Sequence, residues 1–280
     1  MKKSINAWSF PAEYTFEECL AAAKKAGFDA IEFNLDGENK GHSFTLGTKD
    51  EEILAVKALC DSYGVLPISI SSSLHHGIWS KTAEADVAYA MSVLEAQLNV
   101  AHLMGADTIL VVPGGMTDGI TLAQARANSL TNLKAAEPMI RESGVTVGLE
   151  NVWNGFFLSP YDMLSFLDDL GSDAFALYFD LGNMVAFSTS EYWCEIIGSR
   201  AAKIHIKDFK RNGRINSGGK FCDLLTGDLD FRAAMKAMKE QGFDGYLTAE
   251  VGKGADVSWE DFFASVSAAE ETIIGYYNEA

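Results

Sequence analysis

The sequence predicts an α/β fold, a closed (β/α)8 barrel of the TIM type, on three observations. Short apolar runs rich in β-branched residues alternate with helix-length patterns along the whole chain, which argues for repeated βα units and a parallel sheet. These runs amount to eight strands, each followed by a helical segment. Four of the later runs, within 145–151, 177–183, 203–208 and 246–250, carry a metal-compatible or ionisable residue at or near their ends: Glu150, Asp180, His205 and Glu250. In a closed parallel barrel the C-terminal strand ends converge on one face around a single pocket. Four such residues far apart in sequence are therefore expected to be neighbours in space.

The elements follow in order. Residues 4–10 read as a first strand, and Thr15 with Glu18 opens a helix that Gly27 stops. A second strand covers 30–35, and the polar loop 36–49 after it is expected on the pocket side. Residues 50–63 read as helix up to Gly64, 65–71 as the third strand and 72–81 as another top-face loop. A long helix at 82–104 leads into a turn, a buried strand and a Gly-rich loop over 105–115, and 122–142 is the next helix. The fifth strand ends at Glu150. Ser159 and Pro160 supply the cap and first-turn proline of a helix that reaches about residue 170. The sixth strand ends at Asp180, a helix lies around 191–197, and the seventh strand carries His205. A long polar connection spans 208–227, a helix 230–241, the eighth strand delivers Glu250, and an amphipathic helix at 259–277 closes the chain.

With 280 residues and 48% hydrophobic composition the chain suits one barrel-sized domain, residues 1–280, and no linker or composition shift divides it. A formal net charge of −17, with no basic run, repels a nucleic-acid backbone, so a polynucleotide partner is not expected. Cys19, Cys60, Cys194 and Cys222 are scattered, which suggests neither a disulfide framework nor a zinc ribbon and fits a reduced, cytoplasmic setting. The N-terminal stretch lacks the apolar segment of a signal peptide, and no run of about eighteen apolar residues is present to span a membrane.

Two glutamates, an aspartate and an imidazole form a hard-leaning ligand set for one divalent ion. Carboxylates favour Mg²⁺ and Mn²⁺, and a neutral histidine keeps Mn²⁺, Co²⁺ and Zn²⁺ in play, with Mn²⁺ ranked first. Four protein ligands leave positions on an octahedral ion for two vicinal oxygens of a hydroxy-ketone. The ion would act as a Lewis acid that stabilises an enediolate after the neighbouring carbon loses its proton. A glutamate with one oxygen on the ion can use the other as a general base within about 3 Å of the substrate. Two such groups on opposite faces permit epimerisation, and return of the proton to the adjacent carbon gives aldose–ketose isomerisation; the residues alone leave both open.

Each residue has a plainer reading. A carboxylate at a strand end serves equally as a helix cap or ion-pair partner, and it is the four together that carry the argument. His205 lies between Ile204 and Ile206, so by alternation it points away from them, into the barrel or its mouth, where a hydrogen-bonded interior histidine is the alternative. Asp208 reads as a residue that caps or orients its neighbours, Asn151 and Asn183 as hydrogen-bonding supports of the ligands, and His75 and His76 as surface loop residues. Trp8, Trp153, Phe156 and Phe157 are candidates to wall the pocket or simply to pack. Lys210, Arg211 and Arg214 read either as a solvated loop or as a grip on a phosphate or carboxylate. Gly114-Gly115 is a weak candidate for presenting amides to an anion. The basic loop tilts the reading toward a phosphorylated sugar.

At Gly148-Leu149-Glu150-Asn151, Phe179-Asp180-Leu181-Gly182-Asn183, His205-Ile206-Lys207-Asp208 and Ala249-Glu250 the sequence resembles the sugar phosphate isomerase/epimerase family, the xylose-isomerase-like barrels that include ketose 3-epimerases. The resemblance covers nearly the whole chain. It implies that Glu150, Asp180, His205 and Glu250 bind Mn²⁺ or a related ion, that Glu150 and Glu250 are the catalytic acid/base pair, and that Arg211, six residues after His205, contacts substrate. Asn183 stands where the 3-epimerases carry a substrate-contacting histidine, and Phe156 where they carry a polar residue. Residues 150–154 with Leu158-Ser159-Pro160 resemble the subgroup labelled hexulose-6-phosphate isomerase. Asn183, Arg211, Trp8 and Trp153 are the substrate-binding candidates, the expected partner is a small sugar or sugar phosphate, and barrels of this type commonly associate into homo-oligomers.

Three rival functions remain on the same residues. An inosose-type dehydratase would use the same quartet to eliminate water after proton abstraction. An apurinic endonuclease shares the barrel but needs several more histidines than the five present, and the net charge opposes it. A non-catalytic sugar-binding relative would be expected to have lost a quartet member, and none is lost.

Overall fold

The computed structural model describes residues 1–38, 41–116 and 119–280. Its strands, in chain order, are β1 (Lys2–Asn6), β2 (Ala30–Leu35), β3 (Ser43–Phe44), β4 (Leu66–Ser71), β5 (Thr108–Val111), β6 (Thr146–Glu150), β7 (Phe175–Asp180), β8 (Ala201–Ile206), β9 (Asp208–Arg211), β10 (Gly219–Cys222) and β11 (Tyr246–Ala249). The helices are α1 (Phe16–Ala26), α2 (Asp50–Tyr63), α3 (Glu84–Met104), α4 (Leu122–Ser143), α5 (Pro160–Leu170), α6 (Leu181–Val185), α7 (Ser190–Ile197), α8 (Phe231–Glu240) and α9 (Trp259–Glu279). Strands β1, β2, β4, β5, β6, β7, β8 and β11 pair in that order, all parallel, and β11 returns to β1 with Lys2 opposite Tyr246 and Ile5 opposite Ala249. The (β/α)8 barrel expected from the alternation is thus present and closed. Among the described residues, no helix is long and apolar enough to cross a membrane.

Local chemistry accounts for the element ends. Thr15 and Glu18 cap α1 reciprocally, Ser159 and Asp162 do the same for α5, and Gly27, Gly64, Gly105, Gly144 and Gly171 end five helices in the left-handed conformation. The core has two parts. Between barrel and helices runs one continuous apolar layer that includes Ile5, Ile31, Phe33, Ile109, Val147, Leu149, Leu177, Phe179, Ile204 and Leu247. Inside the barrel the apolar cluster is small, Leu110, Val112 and Tyr178, and most of the remaining interior is polar: Asn6, Glu32, Asn34, Ser69, Ser71, His205 and Thr248 are all buried.

Four expectations need correction. The first strand stops at Asn6 rather than residue 10, because the Asn6 side chain accepts the Trp8 amide at 2.7 Å and starts a 3₁₀ turn over Ala7–Ser9. A short helix, α6, follows β7 directly, since Asp180 ends the strand and caps that helix through the Asn183 amide at 2.8 Å. The polar connection at 208–227 contains an antiparallel hairpin, β9 with β10, in which Phe209 stands opposite Phe221. His75, read as a surface residue, is wholly buried: its Nε2 lies 2.6 Å from Gln97 Oε1 and its Nδ1 accepts the Trp79 indole at 3.1 Å. Burial lowers its pKa to about 4. Residues 39 and 40 of the polar loop 36–49 lie outside the described residues; within the rest of that loop β3 pairs with β2.

Candidate active site

Glu150 ends β6, Asp180 ends β7, His205 lies near the end of β8 and Glu250 follows β11, so four adjacent strands deliver four side chains to one place. One ligand atom from each, all within 4.8 Å of one another, can be chosen from these residues. His205 Nδ1 faces all three acids, 3.4 Å from Glu150 Oε1, 3.3 Å from Glu250 Oε2 and 3.9 Å from Asp180 Oδ2. The group is buried except at Glu250, whose side chain is 22% exposed and marks the open side.

The opposite ring nitrogen of His205 is held from below. Nε2 lies 2.5 Å from Glu32 Oε1, on β2 across the barrel. Glu32 also accepts from Asn6 Nδ2 at 2.5 Å, Ser69 Oγ at 2.6 Å and the Tyr178 hydroxyl. The strand ends are tied together by amides. Asn151 Oδ1 accepts the Asp180 amide at 2.9 Å while its Nδ2 donates to the Asp180 carbonyl at 2.8 Å.

Lys207, two residues past His205 and so on the same face of the chain, brings its ammonium to 2.9 Å from Asp180 Oδ2 and 2.6 Å from Glu250 Oε2. Gly182 makes that approach possible, since a Cβ there would lie 2.6 Å from the Lys207 carbonyl oxygen. Burial pushes the Glu150 carboxyl up to about 7 against the opposing pull of His205. Burial would raise Glu250 too, but Lys207 and His205 outweigh it and hold that carboxyl at about 2. Burial raises Asp180 despite the same two neighbours. For His205 burial works downward, yet Glu32, Glu150 and Glu250 together drive the imidazole well above its ordinary value.

Two features fit a divalent cation. The ligand atoms converge, and a lysine ammonium is drawn into ion pairs with two of the acids, 2.9 Å from Asp180 Oδ2 and 2.6 Å from Glu250 Oε2. Oxygen donors with one imidazole suit Mn²⁺, Mg²⁺, Co²⁺ or Zn²⁺.

The substrate candidates divide into two kinds. Trp8 is half-buried and bonds its indole to Asp36 Oδ2 at 3.2 Å. Trp153 is 53% exposed, stacks on the exposed Phe221 at 5.2 Å and meets Phe209 edge-on. Asn183 and Arg211 are instead turned toward backbone. Asn183 Nδ2 donates to the Asn151 carbonyl at 2.9 Å, and Arg211 donates to the Val185 carbonyl at 2.6 Å and the Ser188 carbonyl at 3.1 Å. Lys210 pairs with Asp228 at 2.6 Å. Asp208 orients its neighbours, accepting the Phe209, Gly227 and Leu229 amides, while Asp230 caps α8. Phe156 and Phe157 pack on Phe166, and Gly114 is small because a Cβ would meet the Phe156 ring at 2.6 Å, which gives that glycine a packing role. Two residues were not singled out from the sequence. Glu32 carried a usable signal, an acid flanked by Ile31 and Phe33, the same alternation that points His205 inward; Lys207 stood inside the quoted motif.

The chain is 22% identical to the probable L-ribulose-5-phosphate 3-epimerase UlaE of Mycoplasma pneumoniae over 81% of this chain and 73% of that protein. It is 24% identical to the L-ribulose-5-phosphate 3-epimerase UlaE of Escherichia coli strain SMS-3-5 over 87% of this chain and 84% of that one. Among solved structures, the IolI protein, described with a binding zinc atom, superposes with a TM-score of 0.83 at 15% identity, covering 99% of both chains. The model for the xylose isomerase-like TIM barrel matches residues 20–270, and the chain belongs to that family.

Proposed function

We propose that the protein is a divalent-metal-dependent epimerase or isomerase of a ketose or ketose phosphate, working by proton abstraction beside a carbonyl. The observation that carries this reading is the convergence of Glu150, Asp180, His205 and Glu250 at the C-terminal ends of four neighbouring strands. The kinship with sugar epimerases supports it. When bound, a divalent ion supplies Lewis-acid polarisation of the substrate carbonyl. Asp180 and His205 would hold the ion together with the two glutamates. Glu150 and Glu250 move protons: one, as the carboxylate, takes the proton from carbon and breaks the C–H bond, and the other, as the carboxylic acid, gives its own proton to the opposite face, so that the two exchange protonation states. Both reach the same small space, since each approaches His205 Nδ1, and Glu250 faces the open side.

Trp8 and Trp153 line the substrate position in this reading, and Asn183 and Arg211 contribute by holding the walls through their backbone contacts. Arg211 retains guanidinium donors for a substrate oxygen or phosphate. The substrate is a small sugar rather than a polymer, Mn²⁺ is the proposed ion, and four free cysteines, three of them buried, support a cytoplasmic setting. The test is solvent deuterium incorporation, followed by NMR, with Mn²⁺-loaded and chelated protein and a panel of free and phosphorylated ketoses. Exchange at one carbon that depends on the metal and leaves product mass otherwise unchanged supports the proposal. Loss of water from the substrate would replace it with a dehydratase, and failure to bind any divalent ion would remove its basis.

A further inference from the structure

The carboxylate of Glu32 has no place in the proton transfer just described, yet it is as buried as any ligand and lies against one of them. It is fully enclosed, and four donors converge on it from four other strands: Asn6 of β1, Ser69 of β4, Tyr178 of β7 and His205 of β8. A buried charge is costly unless paired and hydrogen-bonded. Here the pairing is directional, because it fixes which nitrogen of His205 faces which way. A carboxylate on Nε2 requires a proton on Nε2, so the lone pair available for a ligand lies on Nδ1, the nitrogen that faces Glu150, Glu250 and Asp180.

Resting on the metal-site reading above, we infer that Glu32 is a positioning residue, an outer carboxylate that holds His205 by Nε2 and presents Nδ1 to the divalent ion. The arrangement serves two purposes. It orients the ring, and it raises the electron-donating power of the ligating nitrogen by hydrogen bonding to the far side. Tyr178 and Ser69 orient Glu32 in turn, since both donate to its Oε2, while Asn6 and His205 share its Oε1. Gly148 leaves the room that this takes, because a Cβ at that position would lie 3.0 Å from the Tyr178 side chain. The interior of the barrel is therefore a support for the ligand shell rather than a conventional apolar plug.

Two variants and two readouts test this. Glu32→Gln keeps the shape and one acceptor oxygen but converts the other into a donor facing groups that already donate. Glu32→Leu removes both acceptors. Titration calorimetry with Mn²⁺ should show affinity weakened about 10- to 100-fold in Glu32→Gln, with a melting temperature that leaves the protein folded. The second readout is the imidazole NMR spectrum of ¹⁵N-histidine-labelled, Zn²⁺-loaded protein. The wild type should show a downfield, slowly exchanging Nε2–H of His205, assigned by its loss in His205→Asn. That proton should move upfield in Glu32→Gln and exchange rapidly in Glu32→Leu. Should Glu32→Leu not fold, Glu32→Gln decides alone. Wild-type Mn²⁺ affinity, or an unmoved Nε2–H, in a folded variant overturns the inference and leaves the quartet intact. A wild type that binds neither Mn²⁺ nor Zn²⁺ overturns the metal reading and the inference with it.

Discussion

The two faces of β2 are buried alike and built by opposite physics. Ile31, Phe33 and Leu35 face the helices and have no exposed surface; Phe33 meets Phe16 at 5.5 Å and Phe44 at 6.0 Å, ring edge to ring face. Glu32 and Asn34 face the barrel interior and are enclosed as well; Glu32 is satisfied by hydrogen bonds, and Asn34 Nδ2 gives one to Ser71 Oγ at 2.5 Å, while Asn34 Oδ1 finds no partner among the described residues. The outer face is held by a force proportional to area and indifferent to direction. The inner face depends on angle and distance at each contact. Substitutions on the outer face should therefore cost stability while sparing the chemistry of each folded molecule, and substitutions inside should do the reverse.

The largest expected effect is on the inner side. Glu150→Gln or Glu250→Gln should lower substrate–solvent hydrogen exchange by 10²–10⁴-fold, the range for a general acid or base, while thermal denaturation shows little change. Retained exchange with lost stability would invert the comparison. Phe33→Ala is the counterpart on the outer side and should cost about 3–5 kcal/mol of unfolding free energy in urea, with kcat per folded molecule close to wild type. Gly182→Ala lies at the boundary between the two. Its methyl group meets the Lys207 backbone, so a cost of about 1–3 kcal/mol from overpacking should come together with weaker Mn²⁺ binding, measured by calorimetry; unchanged metal binding would show that Lys207 can shift freely.

The smallest effect sharpens the comparison through its exception. Glu270 of α9 lies in the outer layer, wholly buried, and among the described residues no side chain donates a hydrogen bond to its carboxylate. Burial holds its pKa well above the ordinary 4.5, against the pull of Lys3. The folded chain therefore keeps a proton that the unfolded chain releases as pH rises through 4.5. The stability associated with this group is greatest below that pH and falls as pH climbs toward the folded value. Glu270→Gln should raise the melting temperature at pH 8 by a few degrees, for a gain of about 1–2 kcal/mol, and should have almost no effect near pH 4. An equal shift at both pH values would mean that the carboxyl is not held protonated.

Much of this architecture was legible beforehand. Bounds for β2, α2 and α5 follow from alternation, capping residues and stop glycines because those signals act within a few residues of one another. The quartet was legible for a related reason: strand-end positions and a closed parallel sheet are enough to bring Glu150, Asp180, His205 and Glu250 together. The hairpin of β9 and β10 was hidden by charge, since Lys210 and Lys220 stand opposite each other, both exposed, and Arg211 adds a third cation on strands whose apolar partners are Phe209 and Phe221. His75 was hidden by its polar neighbours, because its burial comes from Gln97 and Trp79, the first of them 22 residues away.

By itself, then, the sequence determined the periodicities, the caps, the strand ends and the set of ligand types, all of which depend on local geometry. Only the tertiary structure decided what each polar group is paired with. Arg211 is bound to the Val185 and Ser188 carbonyls, Lys207 enters the acid cluster, and Glu32 reaches His205 across 173 residues of chain. A hydrogen bond is made or lost within a few tenths of an ångström, and closure of the barrel sets distances on that scale between residues that no local pattern links.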